Sequence, residues 1–292
     1  MKIAILGTRG VPNYYGGFEQ FAEFFATYAA AKDHDVYVYN SHSHPYQQDV
    51  FKGVKIIHCY DPENKIGTAG QFIYDLNCIR DARKRNFDII LQLGYTSSSI
   101  WFSFHPKQAI VITNMDGLEW KRTKYSKKVQ KALQIAERLA VKKSDYLISD
   151  SLGIKKYLKE KYNKESTYIA YGAHNFEKPN PEILKQYDVE VENFNMIMAR
   201  FEPENNIEMV LEGVSKSDLK TPILVIGNHN TKYGIHLKEK FSSYENIRFL
   251  GAVYNLDHLN NLRYYSNLYF HGHTVGGTNP SLLEAMASRA LI

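Results

Sequence analysis

The segment His271-Gly272-His273-Thr274-Val275-Gly276-Gly277-Thr278-Asn279-Pro280-Ser281-Leu282-Leu283-Glu284 follows a short apolar run and leads into a helical pattern. A strand, a glycine-rich loop and a helix start aim backbone N–H groups and the positive end of a helix at one point, which suits an anion. The loop amides would face the ligand, and Glu284, one turn inside the helix, would accept hydrogen bonds from sugar hydroxyls. Earlier, Ala199-Arg200 ends a strand and Glu204-Asn205-Asn206 opens a helix. That order sets a guanidinium and free N–H groups at the carboxyl edge of a sheet, where phosphates bind; the alternative for Arg200 is an ion pair with Glu202 or Glu204. A third loop, Gly7-Thr8-Arg9-Gly10 through Gly16-Gly17-Phe18-Glu19, follows the first apolar run. It lacks the intermediate glycine of the dinucleotide fingerprint, so it reads either as a tight strand-to-helix turn or as an anion or sugar site at Gly16 and Gly17. His271 and His273 sit at alternate positions without further acidic or cysteine ligands nearby, and no metal site is expected.

These loops need a scaffold, and the order of elements supplies one. Lys2–Leu6, Val36–Asn40, Val54–His58, Ile89–Leu93, Ala109–Thr113, Tyr146–Ser149 and Ser166–Ala170 read as strands. Helical spacing occupies Phe18–Ala31, Gly67–Arg85 and Leu118–Lys143. Alternation of this kind specifies a parallel α/β sheet. The pattern breaks into a polar, proline-containing stretch around 175–193, which has linker composition, then restarts with Met196–Ala199, Ile223–Ile226, Ile247–Leu250 and Leu268–Phe270. Two doubly wound domains are expected, 1–176 and 177–292. The second has few strands for such a sheet and ends on Ala290-Leu291-Ile292 like a strand cut short, so a truncated C-terminal domain is expected.

The 292 residues can bury one large core or two smaller ones, and two cysteines, Cys59 and Cys78, offer neither a disulfide framework nor a zinc spacing. No stretch is apolar for long enough to span a membrane, and the apolar N-terminal run is too short for a signal peptide. A cytoplasmic location is expected. The net charge of +5 is uneven: residues 121–165 carry fourteen Lys and Arg against five Asp and Glu, a local +9 that leaves −4 for the rest. A solvated helix face explains this as well as attraction to an anionic lipid surface or a phosphate-bearing acceptor, worth about 1 kcal/mol per well-placed base. No nucleic-acid recognition signature accompanies the charge.

The stretch Gly277–Ala287 resembles the donor-binding loop and helix of glycosyltransferase family 4, and the likeness spans nearly the whole chain. The resemblance implies a GT-B fold, two Rossmann-like domains facing a cleft, with the donor nucleotide held by the C-terminal one and the acceptor by the N-terminal one. It implies that Glu284 holds the ribose, that Ser281 and Leu282 offer amides to the diphosphate beside Gly277, Thr278 and Asn279, and that Arg200 meets the donor phosphates. Two positions depart from the family: Gly276 stands where a glutamate is usual, and Asn205 where a lysine is usual. Together with Gly16-Gly17-Phe18-Glu19 and Asn114-Met115-Asp116-Gly117-Leu118-Glu119-Trp120-Lys121-Arg122, these departures resemble a bacterial subgroup identified as rhamnosyltransferases.

That subgroup implies a dTDP-β-L-rhamnose donor, retention of configuration, and a saccharide acceptor on a polyprenyl diphosphate during polysaccharide assembly at the inner face of the cell membrane. Glu19, Glu119, Trp120 and Arg122 are then the acceptor-side residues. Asp116 is the candidate for orienting the sugar or acceptor hydroxyl, with helix N-capping as its plain alternative. No cofactor or metal is expected. A UDP- or GDP-sugar donor, an epimerase or hydrolase of the same fold, and a non-catalytic sugar-nucleotide binder are the competing functions.

Overall fold

The computed structural model describes residues 1–14, 16–122, 125–217, 220–274 and 277–292. Gly276, where the family resemblance departs, and Lys124 of the basic segment lie outside the described residues. The chain divides into two compact units: Met1–Trp120 with Tyr125–Ala170, and Tyr171–Ile292 with the segment of Lys121 and Arg122.

The first unit begins with β1 (Lys2–Leu6) and α1 (Gly17–Ala30), followed by β2 (Asp35–Ser41), β3 (Val50–Phe51) and β4 (Val54–Cys59). Next come α2 (Glu63–Ile66), α3 (Gly70–Ala82), β5 (Ile89–Leu93), β6 (Ile110–Asn114), α4 (Lys127–Lys143), β7 (Tyr146–Ser149), α5 (Leu152–Tyr162) and β8 (Thr167–Tyr168). Eight strands form one sheet in the order β3-β4-β2-β1-β5-β6-β7-β8, parallel except for the antiparallel β3–β4 pair. Ile5 of β1 pairs in register with Val38 and Leu91. Alternate strand residues feed opposite cores, as the two-residue period requires. Ala4, Leu6 and Ile90 pack with Cys78, Ile79 and Ala82 of α3 and Ala136 and Ala140 of α4. Ile5, Leu91 and Leu93 pack on the other face with Ala22, Ala26 and Ala29 of α1. Each buried Ile or Leu contributes about 1.5–3 kcal/mol.

The second unit contains β9 (Asn195–Met198), α6 (Ile207–Lys216), β10 (Ile223–Ile226), α7 (Lys232–Lys240), β11 (Ile247–Gly251), α8 (Leu256–Tyr265), β12 (Leu268–Phe270) and α9 (Pro280–Ala287). Its sheet is parallel, in the order β11-β10-β9-β12. Met196, Leu224 and Ile226 pack with Leu259 and Leu262 of α8 and Ala285 of α9, while Ile197, Ile223 and Val225 meet Ile207, Leu211 and Leu237 from α6 and α7. Both units are doubly wound parallel sheets, as the alternation of elements specifies.

Three expectations need correction. The helix read from Leu118 starts at Lys127, where Ser126 Oγ accepts the Val129 N–H at 3.4 Å; Glu119–Lys121 form a separate 3₁₀ turn. The helix read from Gly67 to Arg85 spans Gly70–Ala82, after a 3₁₀ turn at Gly67–Ala69. The polar stretch read as linker holds a 3₁₀ segment, Pro181–Tyr187, whose Ile183 and Leu184 are buried. Two adjacent apolar residues, Ile183 and Leu184, suffice to dock this short segment whatever its flanking polarity. Among the described residues, no helix is long and apolar enough to cross a membrane.

Candidate functional site

In the second unit the chain leaves β9, adds β10 and β11 on one side, and returns to place β12 on the other. The carboxyl ends of β9 and β12 therefore diverge into a crevice, the topological switch point at which open α/β sheets take ligands. The loops singled out from the sequence are the two that leave these strands.

Hydrogen bonds tie the loops together. The Asn206 side-chain amide donates to Gly272 O at 2.6 Å, and Thr274 donates through its N–H (3.1 Å) and hydroxyl (2.8 Å) to Glu204 O. A Cβ on Gly272 would lie 2.4 Å from Asn205 O, so only glycine lets the backbones approach this closely. Asn205 donates through Nδ2 to Arg200 O at 2.7 Å. Asn205, expected at the donor, thus also fixes the turn that carries Arg200, whose own side chain is exposed.

Next to Arg200 the rings of His271 and His273 stack, 4.6 Å apart and 17° from parallel. Burial lowers both imidazoles, and His273 falls to about 4, with His271, Arg200 and Arg122 adding to the effect of burial. At neutral pH both rings are uncharged donors or acceptors beside two guanidinium groups. Arg122 donates to Glu204 Oε1 at 3.1 Å, and Glu204 is buried. A guanidinium at this position suits a phosphate-bearing ligand. Among the described residues, no group of three His, Cys, Asp or Glu side chains is placed to hold a metal ion.

Asn279 caps α9, its Oδ1 accepting the Leu282 N–H at 3.2 Å, and Ser281 Oγ lies 2.7 Å from the Tyr269 hydroxyl. The Leu282 amide, expected at the diphosphate, is thus engaged by the cap. Glu284, on the first turns of α9, pairs through Oε2 with Arg263 Nη2 at 2.5 Å. Arg263 is fully buried, and its guanidinium also contacts Asn260 Oδ1 at 2.9 Å and Met198 Sδ at 3.3 Å. The pair locks the carboxylate in one orientation. Sequence reading missed Arg263; the signal was an arginine on the apolar face of a core helix, which demands a carboxylate partner.

The first unit has its own switch point, between β1 and β5. The Gly7–Gly17 loop leaves β1 there. Gly7, at φ +80°, would bring a Cβ within 2.1 Å of Leu93 O, so the close approach to β5 requires glycine. Glu19 Oε1 accepts from Thr8 Oγ1 (3.1 Å) and Arg9 N (2.7 Å), and Asn40 exchanges two hydrogen bonds with the Val11 backbone at 3.0 and 2.9 Å. Arg9 pairs with Asp61 and Glu63. Glu19, expected on the acceptor side, is buried and braces this loop. Gly16 is the extended N-cap of α1 and makes no side-chain cap; Gly17 opens the helix.

Asp116 follows β6 at φ +46°, its N–H donating to Asn114 Oδ1 at 3.1 Å. Glu119 donates its N–H to Gly117 O at 3.0 Å. Trp120 donates from its indole to Glu137 Oε2 at 3.0 Å. The site residues therefore fall into two groups, one per unit: Gly16, Gly17, Glu19, Asp116, Glu119 and Trp120 in the first, and Arg122, Arg200, Asn205, Gly277, Thr278, Asn279, Ser281, Leu282 and Glu284 in the second.

The low pKa of His273 has a counterpart in the first unit, where burial pulls His105 down to about 4. An unfolded histidine titrates near 6.5, so between about pH 6.5 and 4 the unfolded chain binds protons that the folded one refuses. Stability rises with pH across that window and is lost on acidification, at up to about 1.4 kcal/mol per pH unit for each histidine. Urea unfolding between pH 7 and 4.5 is expected to show this slope, and His105→Phe to flatten it for the first unit; an unchanged slope would remove His105 as a cause.

Solved structures share this architecture. Sucrose-phosphate synthase from Thermosynechococcus elongatus superposes with a TM-score of 0.77 at 15% identity, covering 99% of this chain and 79% of that one. HepE from Anabaena, in complex with UDP and glucose, gives 0.71 at 16%, covering 99% and 79%. WaaG, a glycosyltransferase involved in lipopolysaccharide biosynthesis, gives 0.67 at 15%, covering 99% and 80%. The two Rossmann-like units thus make up the GT-B fold. Residues 1–174 match the family model described as "Domain of unknown function (DUF1972)", and the chain belongs to that family. No curated protein matches the sequence.

Proposed function

We propose that this protein is a retaining glycosyltransferase that uses a nucleotide-sugar donor, with dTDP-β-L-rhamnose as the donor and a saccharide on a polyprenyl diphosphate as the acceptor in bacterial polysaccharide assembly. The observation that carries the reading is the β9/β12 switch point, where Arg200 stands at the end of one strand and a capped helix follows the loop from the other. HepE, of similar fold, binds UDP and glucose.

In this reading Arg200 and the loop amides around Thr278 hold the diphosphate, and Glu284 holds the nucleoside sugar. The bond from the sugar C1 to the diphosphate oxygen breaks as the acceptor oxygen bonds to C1 from the same face, and the acceptor proton passes to the departing diphosphate. Asp116 orients the sugar or acceptor hydroxyl, with Trp120 and Glu119 nearby in sequence on the acceptor side. Charge on the leaving group is met by arginine and amides, so the reading assigns no step to a metal. The exposed lysines of α4 and α5, among them Lys127, Lys128, Lys131, Lys142, Lys143, Lys156 and Lys159, would hold the protein to the anionic inner face of the membrane.

Calorimetric titration with dTDP, UDP, GDP and NAD, repeated with anionic vesicles present, tests the reading. Selective binding of dTDP, followed by turnover of dTDP-rhamnose only when lipid-linked saccharide is supplied, is the expected result. Preference for UDP or GDP replaces the donor and keeps the enzyme class. Donor consumption without acceptor makes it an epimerase or hydrolase, binding without turnover makes it a sugar-nucleotide binder, and no nucleotide binding overturns the proposal.

A further inference from the structure

Glu137 on α4 is a buried carboxylate at which five donors converge. Its Oε1 accepts from the Tyr162 hydroxyl at 2.6 Å, the Tyr157 hydroxyl at 2.7 Å and Lys161 Nζ at 3.0 Å. Its Oε2 accepts from Trp120 Nε1 at 3.0 Å and lies 3.4 Å from the Tyr95 hydroxyl. The Lys161 ammonium lies 5.2 Å from the ring of Trp120, 4.9 Å from that of Tyr157 and 5.0 Å from that of Tyr162, within cation–π range of all three. Burial, reinforced by Glu137, raises Tyr95, Tyr157 and Tyr162, so all three phenols stay protonated donors. A carboxylate is the side chain that can accept this many hydrogen bonds without offering a proton in return.

The two oxygens serve different clients. Oε1 joins α4 to the C-terminal turn of α5, which is ordinary packing. Oε2 faces the carboxyl edge of the sheet: Tyr95 stands just past β5 and also reaches Gly117 O at 3.4 Å, and Trp120 closes the turn that begins at Asp116. Asp116 is a non-glycine residue at φ +46°, a conformation that persists only where its surroundings over-determine it. Nearby local bonds, from Asp116 N to Asn114 and from Glu119 N to Gly117, shape the turn. A bond that fastens its far end to the body of the unit runs from Trp120 to Glu137.

We propose that Glu137, through its bond to Trp120, is the positioning residue for the Asp116–Trp120 turn, holding Asp116 in its left-handed conformation at the edge of β6. The functional part of this inference rests on Asp116 acting on a sugar or acceptor hydroxyl as proposed above; the positional part does not. Glu137→Gln keeps the volume but turns one acceptor into an N–H₂ donor, which opposes the donors on one side. Trp120→Phe removes the indole donor alone, and Tyr162→Phe removes one donor to the other oxygen.

The test is amide hydrogen exchange over residues 114–121 in the full chain, read by mass spectrometry beside dTDP and UDP titrations and kcat for dTDP-rhamnose turnover with membrane-lipid extract. Glu137→Gln and Trp120→Phe are expected to speed exchange of this segment at least tenfold and to lower kcat about tenfold with nucleotide Kd within twofold of wild type. Tyr162→Phe is expected to leave both unchanged. Wild-type exchange in folded Trp120→Phe overturns the proposal, as does an equal effect from Tyr162→Phe, which would make the cluster general packing. A wild-type protein that binds no nucleotide sinks the functional reading, while the exchange result still decides the positional one.

Discussion

Arg200→Ala is expected to lower donor turnover about 10²–10³-fold, the usual cost of removing one preorganised donor from a developing anion, with thermal unfolding unchanged. The fold uses Arg200 through its backbone: its carbonyl accepts from Glu202 N at 2.8 Å and from Asn205 Nδ2 at 2.7 Å, and both bonds survive truncation of the exposed side chain. Arg200→Lys keeps a charge but loses the planar fork that grips two oxygens of a diphosphate, so its activity is expected to fall between wild type and alanine. A second readout needs no substrate. Arg200 is one of the charges that depress His273, so the alanine variant is expected to shift the His273 imidazole titration upward in NMR. An upward shift with undiminished turnover would place Arg200 beside the histidines yet remove it from catalysis.

Strands were the most legible part of the chain. Lys2–Leu6, Ile89–Leu93, Tyr146–Ser149, Ile223–Ile226 and Leu268–Phe270 form at the expected limits, because a strand covered on both faces must be a continuous apolar run bounded by turn residues. Helix starts were less legible. Apolar spacing continues from Leu118 into α4, yet Trp120 turns away to donate to Glu137, and Ser126 begins the helix. The partner of Trp120 lies seventeen residues on and has no signal in the local sequence. The same holds for the candidate site. The loop leading to Glu284 declared itself by glycine content, and Arg200 by its position at the end of an apolar run. Partners chosen by tertiary packing, Arg263 for Glu284 and Glu204 for Arg122, have no local signature, since neither periodicity nor propensity encodes which distant charge a buried group will meet.

Arg263 changes what a substitution at Glu284 measures. Were Glu284 only a ligand group, Glu284→Ala would abolish nucleotide binding and leave the fold untouched. In the structure its carboxylate faces a fully buried guanidinium that also touches Asn260 Oδ1 and Met198 Sδ, neither of them charged. Removing one partner of a buried ion pair costs about 3–5 kcal/mol, because the remaining charge stays desolvated. Glu284→Ala is therefore expected to destabilise the second unit by that amount in urea unfolding, and its loss of dTDP affinity would mix binding with unfolding. The double variant Arg263→Met with Glu284→Met separates the two, since replacing both charges by apolar groups is often neutral or stabilising. It is expected to regain most of the lost stability while still failing to bind nucleotide by calorimetry. Restored stability together with wild-type affinity would show that the pair is structural alone, and the nucleoside would then need another carboxylate or amide to hold its hydroxyl.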